Sequence, residues 1–203
     1  MDERTLERFA ELIVGFGANV QPDQIVAVGT EPGKEELTRA IVATAYRHGA
    51  KFVDVTVFDP HVKRERILNA APETLAFLPS WYGERVLALG EQRCARIGLS
   101  GNAAPGLFDD LEQSLVGRDQ LPWLKETAQV VNERTTNWTV APCPSPGWAS
   151  LVHGDLDPEA GLARLWKEVA HVCRLDEEDP VAAWRARMDA VVAAAAQLTT
   201  RRF

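Results

Sequence analysis

A turn bounded by glycines and ending in lysine, Gly29-Thr30-Glu31-Pro32-Gly33-Lys34-Glu35, follows the apolar run Ile25-Val26-Ala27-Val28. A strand-to-helix turn of this kind cradles phosphate when four residues separate its glycines and a Ser/Thr hydroxyl after the lysine holds magnesium. Here three residues separate Gly29 from Gly33, and Glu35 stands where the hydroxyl belongs. Its negative charge opposes a phosphate. The turn therefore reads as a structural βα connection whose Glu35 and Glu36 favour a helix N-terminus.

The other chemistry-bearing residues are dispersed. His48, His61, His153 and His171 match no local metal spacing such as HExxH. His48, beside Gly49, reads as a helix-end residue, and His171 as one on a helix face. His153-Gly154-Asp155 is a close His/Asp pair at a junction between helices, where capping accounts for it. Cys143 falls at the C-terminal end of an expected strand, but no neighbour in sequence offers a base or a cation to activate a thiol. A G-x-S-x-G elbow is lacking, which removes the common serine-hydrolase arrangement. Asp109-Asp110 and Asp176-Glu177-Glu178-Asp179 concentrate carboxylates. In the second run Asp179 precedes Pro180, the pattern of an N-cap with proline in the first helical position.

These residues must be carried by elements, and the hydrophobic pattern defines them. Leu6, Phe9, Ala10, Ile13 and Val14 predict an amphipathic helix over residues 2 to about 16. Ile25–Val28 predicts a strand buried on both faces. The stripe Leu37 to His48 predicts a helix, and Phe52–Val57 a second strand. Helices are expected over 60–70, 79–90 and about 121–134, with strands at Arg96–Ser100 and Trp138–Ala141. Two closing helices carry Leu162, Leu165, Trp166, Val169, Val172 and Cys173, then Val181, Trp184, Met188, Val191, Ala195 and Leu198. The alternation predicts an α/β fold: a mainly parallel sheet of about four to five strands, helices on both faces, and two C-terminal helices. Trp81, Trp123, Trp148, Trp166 and Trp184 are mostly expected in the core.

The chain has 203 residues, 46% hydrophobic and 25% charged, which suits one domain, 1–203, with a real core. Its net charge of −7 argues against nucleic acid as a partner. The opening MDERTLERF lacks the apolar core of a secretory signal, and no run of eighteen apolar residues exists to cross a membrane. Cys94, Cys143 and Cys173 are odd in number and form no CxxC. A reduced, cytoplasmic setting is the expectation.

Several segments together are similar to the thermophilic metalloaminopeptidase family of aminopeptidase T, II and S type. Leu175-Asp176-Glu177-Glu178-Asp179-Pro180-Val181-Ala182-Ala183-Trp184 resembles the family's Leu-Asp-x-x-Asp-Pro-x-x-x-Trp signature between two helices. Trp138-Thr139-Val140 followed by Pro144-Ser145-Pro146-Gly147-Trp148-Ala149 resembles its strand and Pro-Thr-Pro-Ala-Trp segment. Gly147 departs from the usual Ala, and Cys143 precedes the prolines as a second departure. Val20-Gln21-Pro22-Asp23-Gln24, Ala43-Tyr46-Gly49-Ala50 and Leu198-Arg202-Phe203 add weaker matches along nearly the whole chain.

The resemblance implies a non-catalytic N-terminal domain of an enzyme that removes N-terminal residues from peptides with two divalent ions, zinc, cobalt or similar. The family's metal ligands belong to a C-terminal catalytic domain, so no catalytic or metal-binding residue is inherited here and no ion is expected in this chain. The implied partners are that catalytic domain, the peptide substrate of the full-length enzyme and a second copy in a homodimer. Pro144, Pro146 and Trp148 are the residues expected at the cleft or interface. The alternative is a stand-alone α/β module for a nucleotide or other small ligand.

Overall fold

Four strands, β1 (Ile25–Thr30), β2 (Phe52–Val57), β3 (Ala95–Ser100) and β4 (Asn137–Pro142), form one sheet in the order β2-β1-β3-β4. All three pairings are parallel. The coordinates are a computed structural model that describes residues 2–201. Arg202 and Phe203, cited above for one of the weaker matches, lie outside the described residues.

The order dictates the layering. From β1 the chain steps to one side through α2 (Glu35–Arg47) and reaches β2. It then crosses back through α3 (Pro60–Asn69), a one-turn 3-10 helix (Pro72–Thr74) and α4 (Ser80–Glu91) to reach β3. It continues in that second direction through α5 (Gln113–Arg118) and α6 (Lys125–Asn132) to β4. Right-handed crossovers place α2 on one face and α4 and α6 on the other. The leading helix, α1 (Glu3–Glu11), packs against α2, and α4 packs against α6. Gly90 makes the second contact possible, since a Cβ there would lie 2.6 Å from Val130 Cγ2. After β4 come α7 (Pro146–Val152), α8 (Pro158–Val172) and α9 (Pro180–Thr200).

The core lies on the α1/α2 face. Val26, Val28, Ala95, Ile97, Leu99 and Ala141 of the sheet meet Phe9, Ile13, Val14, Leu37 and Ile41. Burying a side chain of this size contributes about 1.5–3 kcal/mol, so this layer dominates the fold's stability. The opposite face is more open. Ile25 and Ala27 are half-buried, Gly29 is exposed, and Trp138 and Val140 on β4 are each 58% exposed. The expectation of a strand buried on both faces is thus corrected, because α4 and α6 spend much of their apolar surface on each other. Arg85 of α4 does tie down this side through its pair with Asp54 of β2, 2.5 Å apart.

Three boundaries differ from expectation. The first helix changes to π geometry over Leu12–Gly17, which brings Gly15 against the His48 ring and Gly17 against the Thr139 side chain. The helix expected from residue 121 begins at Lys125. Leu121 and Pro122 lie in a turn, and Leu124 is extended. Beyond β4, where the hydrophobic pattern assigned no element, the chain forms the short helix α7. Ser145 accepts the Trp148 N–H at 3.1 Å as N-cap, and Pro146 sits in the first helical position.

Trp81 and Trp123 are not core residues but are 65% and 83% exposed. Trp81 stacks on Tyr82, with ring centroids 6.4 Å apart. Trp148, Trp166 and Trp184 do pack on the core. The apolar stripe of α9 is anchored only at its start: Val181 and Trp184 meet the core, while Met188, Val191 and Leu198 are exposed.

Candidate functional site

In doubly wound sheets, ligands bind beyond the carboxyl ends of the strands, where the connections diverge to opposite sides. Here that point lies between β1 and β3. Three segments reach the same edge: Glu31–Lys34 after β1, Gly101–Gly106 after β3, and Cys143–Trp148 after β4.

Lys34 occupies the divergence point. It is 2% exposed, and its ammonium donates to Glu31 Oε2 at 2.8 Å, Gly101 O at 2.9 Å and Leu99 O at 3.1 Å. A lysine ammonium has three N–H donors, and all three are satisfied inside the protein. Next to it, Glu35 Oε1 accepts the Gly33 N–H at 2.9 Å, and that bond holds the Glu35 carboxyl below its usual range. The cation and the loop amide that an anionic ligand would use are therefore taken by the protein's own groups. Thr30 and Thr38, with hydroxyls 3.0 Å apart, line a small depression of about 130 Å³ beside the turn, together with Glu31 and Glu35.

The loops after β3 and β4 interlock beside Lys34. Ser145 Oγ donates to Asn102 O at 2.7 Å, and Cys143 N–H donates to Ser100 O at 2.8 Å. Gly101 has φ of 120°, and a Cβ on it would lie 2.4 Å from Cys143 O. Gly147 is equally constrained, since a Cβ there would meet Pro105 Cδ at 2.5 Å and Ala103 O at 2.6 Å. Of the three residues expected at a cleft or interface, Pro144 is buried, Pro146 is exposed and Trp148 is half-buried against the core.

Cys143 is buried, and desolvation pushes its thiol up to about 11, with Lys34 opposing weakly. A thiol in that state is inert as a nucleophile at neutral pH. The histidines are dispersed across the fold. His48 Nε2 lies 2.7 Å from Glu11 Oε1, and His153 Nε2 lies 3.0 Å from Glu168 Oε2. His171 is exposed, 3.7 Å from Asp176, and His61 is exposed at the start of α3. Asp155 does not cap α8. Asp157 does, accepting from Glu159 and Ala160 N–H groups. Asp110 forms a two-pronged pair with Arg64, and Asp179 caps α9 by accepting the Ala182 N–H at 3.0 Å.

A two-metal centre needs several carboxylates and imidazoles converging on ions a few ångströms apart. Among the described residues no group of three or more His, Cys, Asp or Glu is placed to hold an ion. The donor set does not fit such a centre. A separate depression of about 400 Å³ is lined by Phe77, Trp81, Tyr82 and Leu121. Its cation, Arg66, donates to the carbonyls of Thr74, Leu75 and Phe77, which is a structural use.

Topology and site together define a doubly wound α/β domain whose switch-point lysine is bonded within the protein. Comparison with known proteins then places the chain. It belongs to the family described as thermophilic metalloprotease (M29), which matches residues 2–203. Aminopeptidase T of Thermus thermophilus is 33% identical over 204 residues, covering 99% of this chain and 50% of that protein. Aminopeptidase PepS of Streptococcus thermophilus is 30% identical, covering 99% and 49% respectively. The solved structure of wild-type AmpT from Thermus thermophilus superposes with a TM-score of 0.82 at 31% identity, covering 93% of this chain and 46% of that one. The chain spans about half the length of the curated relatives it matches. No described helix is long and apolar enough to cross a membrane.

Proposed function

We propose that residues 1–203 form the non-catalytic N-terminal domain of a two-metal aminopeptidase that removes N-terminal residues from peptides. In this reading the domain walls the active-site cleft with the segment bearing Pro144, Pro146 and Trp148 and takes part in a homodimer. The two divalent ions, zinc, cobalt or similar, belong with the catalytic C-terminal domain of the longer enzyme, which is cytoplasmic.

The observation that carries the reading is a mismatch of extent. The chain aligns almost end to end with proteins named as aminopeptidases, yet accounts for about half of each. Its own carboxylates and imidazoles meet as isolated pairs, Glu11 with His48 and Glu168 with His153. Such pairs orient side chains but offer too few donors for two ions. The internal bonding of Lys34 and the Gly33 amide at the divergence point opposes the rival reading of a nucleotide-binding module.

The purified chain, supplied with zinc or cobalt, is expected to leave leucyl-p-nitroanilide uncleaved. Metal-dependent release of p-nitroaniline that co-purifies with the chain and is lost with chelator would overturn the proposal.

A further inference from the structure

We propose that Lys34 is a positioning residue: its ammonium extends the β1–β3 ladder by side chain and thereby sets the loop leading into α7, whose first turn carries Trp148. The name "cleft wall" for that loop rests on the function proposed above; the coupling itself is a property of this chain.

The backbone pairing explains why a side chain is needed. Register between β1 and β3 runs from Val26↔Ala95 to Gly29↔Gly98 and ends there. Strand β3 continues to Ser100, paired only with β4 as far as Pro142. Alternate carbonyls of a strand point to opposite neighbours. Leu99 O and Gly101 O, two residues apart, thus face the side where β1 has already turned away. Both accept from Lys34 Nζ, at 3.1 and 2.9 Å. Ser100 O, between them, faces the other way and accepts the Cys143 N–H at 2.8 Å.

A buried ammonium is tolerated only when its donors are satisfied. Glu31 supplies one acceptor from the same turn, but the other two lie 65 and 67 residues away. Anchoring a distant loop is therefore built into the satisfaction of this one charge. From Gly101 the contact is passed on by packing. The position a Cβ would take there is 2.4 Å from Cys143 O and 3.1 Å from the Trp148 ring. Asn102 O accepts from Ser145 Oγ, and that same oxygen caps α7 at the Trp148 N–H. An unbroken path joins Lys34 Nζ to the Trp148 indole.

The test is regional. In Lys34→Met the stem is kept and the donors are lost. Amide exchange in peptides spanning 99–106 and 142–150 is expected to accelerate about tenfold or more, while α8 keeps its wild-type protection. The 5-fluorotryptophan resonance assigned to Trp148 by Trp148→Phe is expected to shift, and those of Trp166 and Trp184 to stay. Glu31→Gln, which leaves the two carbonyl bonds in place, is expected to give a smaller acceleration in the same two peptides. It carries the test if Lys34→Met does not fold. Uniform acceleration over the whole chain, or a change confined to residues 30–38, would overturn the proposal. Either outcome leaves the aminopeptidase reading where it stands, since that reading is tested by hydrolysis and not by exchange.

Discussion

The Glu35 carboxylate and the Gly33 amide, 2.9 Å apart, occupy each other within the turn that most resembles a phosphate loop. With Lys34 turned inward as well, the ammonium and the Gly33 amide are both committed to the protein's own groups. ATP and NAD are accordingly expected to leave the melting temperature unchanged. A ligand at 100 times its Kd would stabilise by about 2.7 kcal/mol, which differential scanning fluorimetry resolves easily.

Glycine substitutions should separate close approach from mere helix propensity. Gly147→Ala is expected to destabilise by about 1–3 kcal/mol, because its Cβ would push on the Ala103 carbonyl, a backbone atom that yields poorly. Gly101→Ala adds the strain of a φ of 120° and should be worse. Gly117→Ala, with nothing within 4 Å, is expected to be neutral or mildly stabilising. Urea midpoints for the three variants check the order.

The Glu168 carboxyl is held below its ordinary value of 4.5, first by its hydrogen bond with His153 and then by Arg164. A carboxylate whose folded pKa is depressed adds stability above its unfolded value and loses it as pH falls through the folded one. Glu168→Gln should therefore lower the melting temperature most near neutrality. The gap to the parent should close as pH drops below about 4.5. A gap that widens in acid would contradict the pairing.

All three thiols, Cys94, Cys143 and Cys173, are buried, and desolvation pushes each up to about 11. With an aromatic disulfide reagent at mildly alkaline pH, the native chain should react slowly and the urea-unfolded chain at once. A single fast thiol in the native protein would show that one of these sites is open.

Much of the architecture was legible because its signals are local. Gly49 after the α2 stripe, the β-branched run Phe52–Val57 and the Asp179-Pro180 cap each specify their element from a few adjacent residues. The all-parallel sheet then follows from alternation. Other features depend on partners far along the chain. Nothing near Lys34 in sequence announces the carbonyls of Leu99 and Gly101, so its inward turn could not be read. Trp81 and Trp123 show the converse: an apolar ring states what could be buried, while exposure is decided by whether another element arrives to cover it. The start of α7 was available in Ser145-Pro146, a cap followed by a first-position proline, but the surrounding prolines obscured it.

Helix α9 is rooted by Trp184, whose indole N–H donates to Cys173 O at 3.0 Å and whose ring lies 6.4 Å from Phe16. From Arg185 to Thr200 every residue is exposed, a rod of about 24 Å at 1.5 Å per residue. Such a rod magnifies small rotations at its base: a tilt of about 5° would sweep the tip through roughly 2 Å. Repacking of a single indole against the π-helical turn would thus be felt as displacement at a distance, with Trp184 as fulcrum.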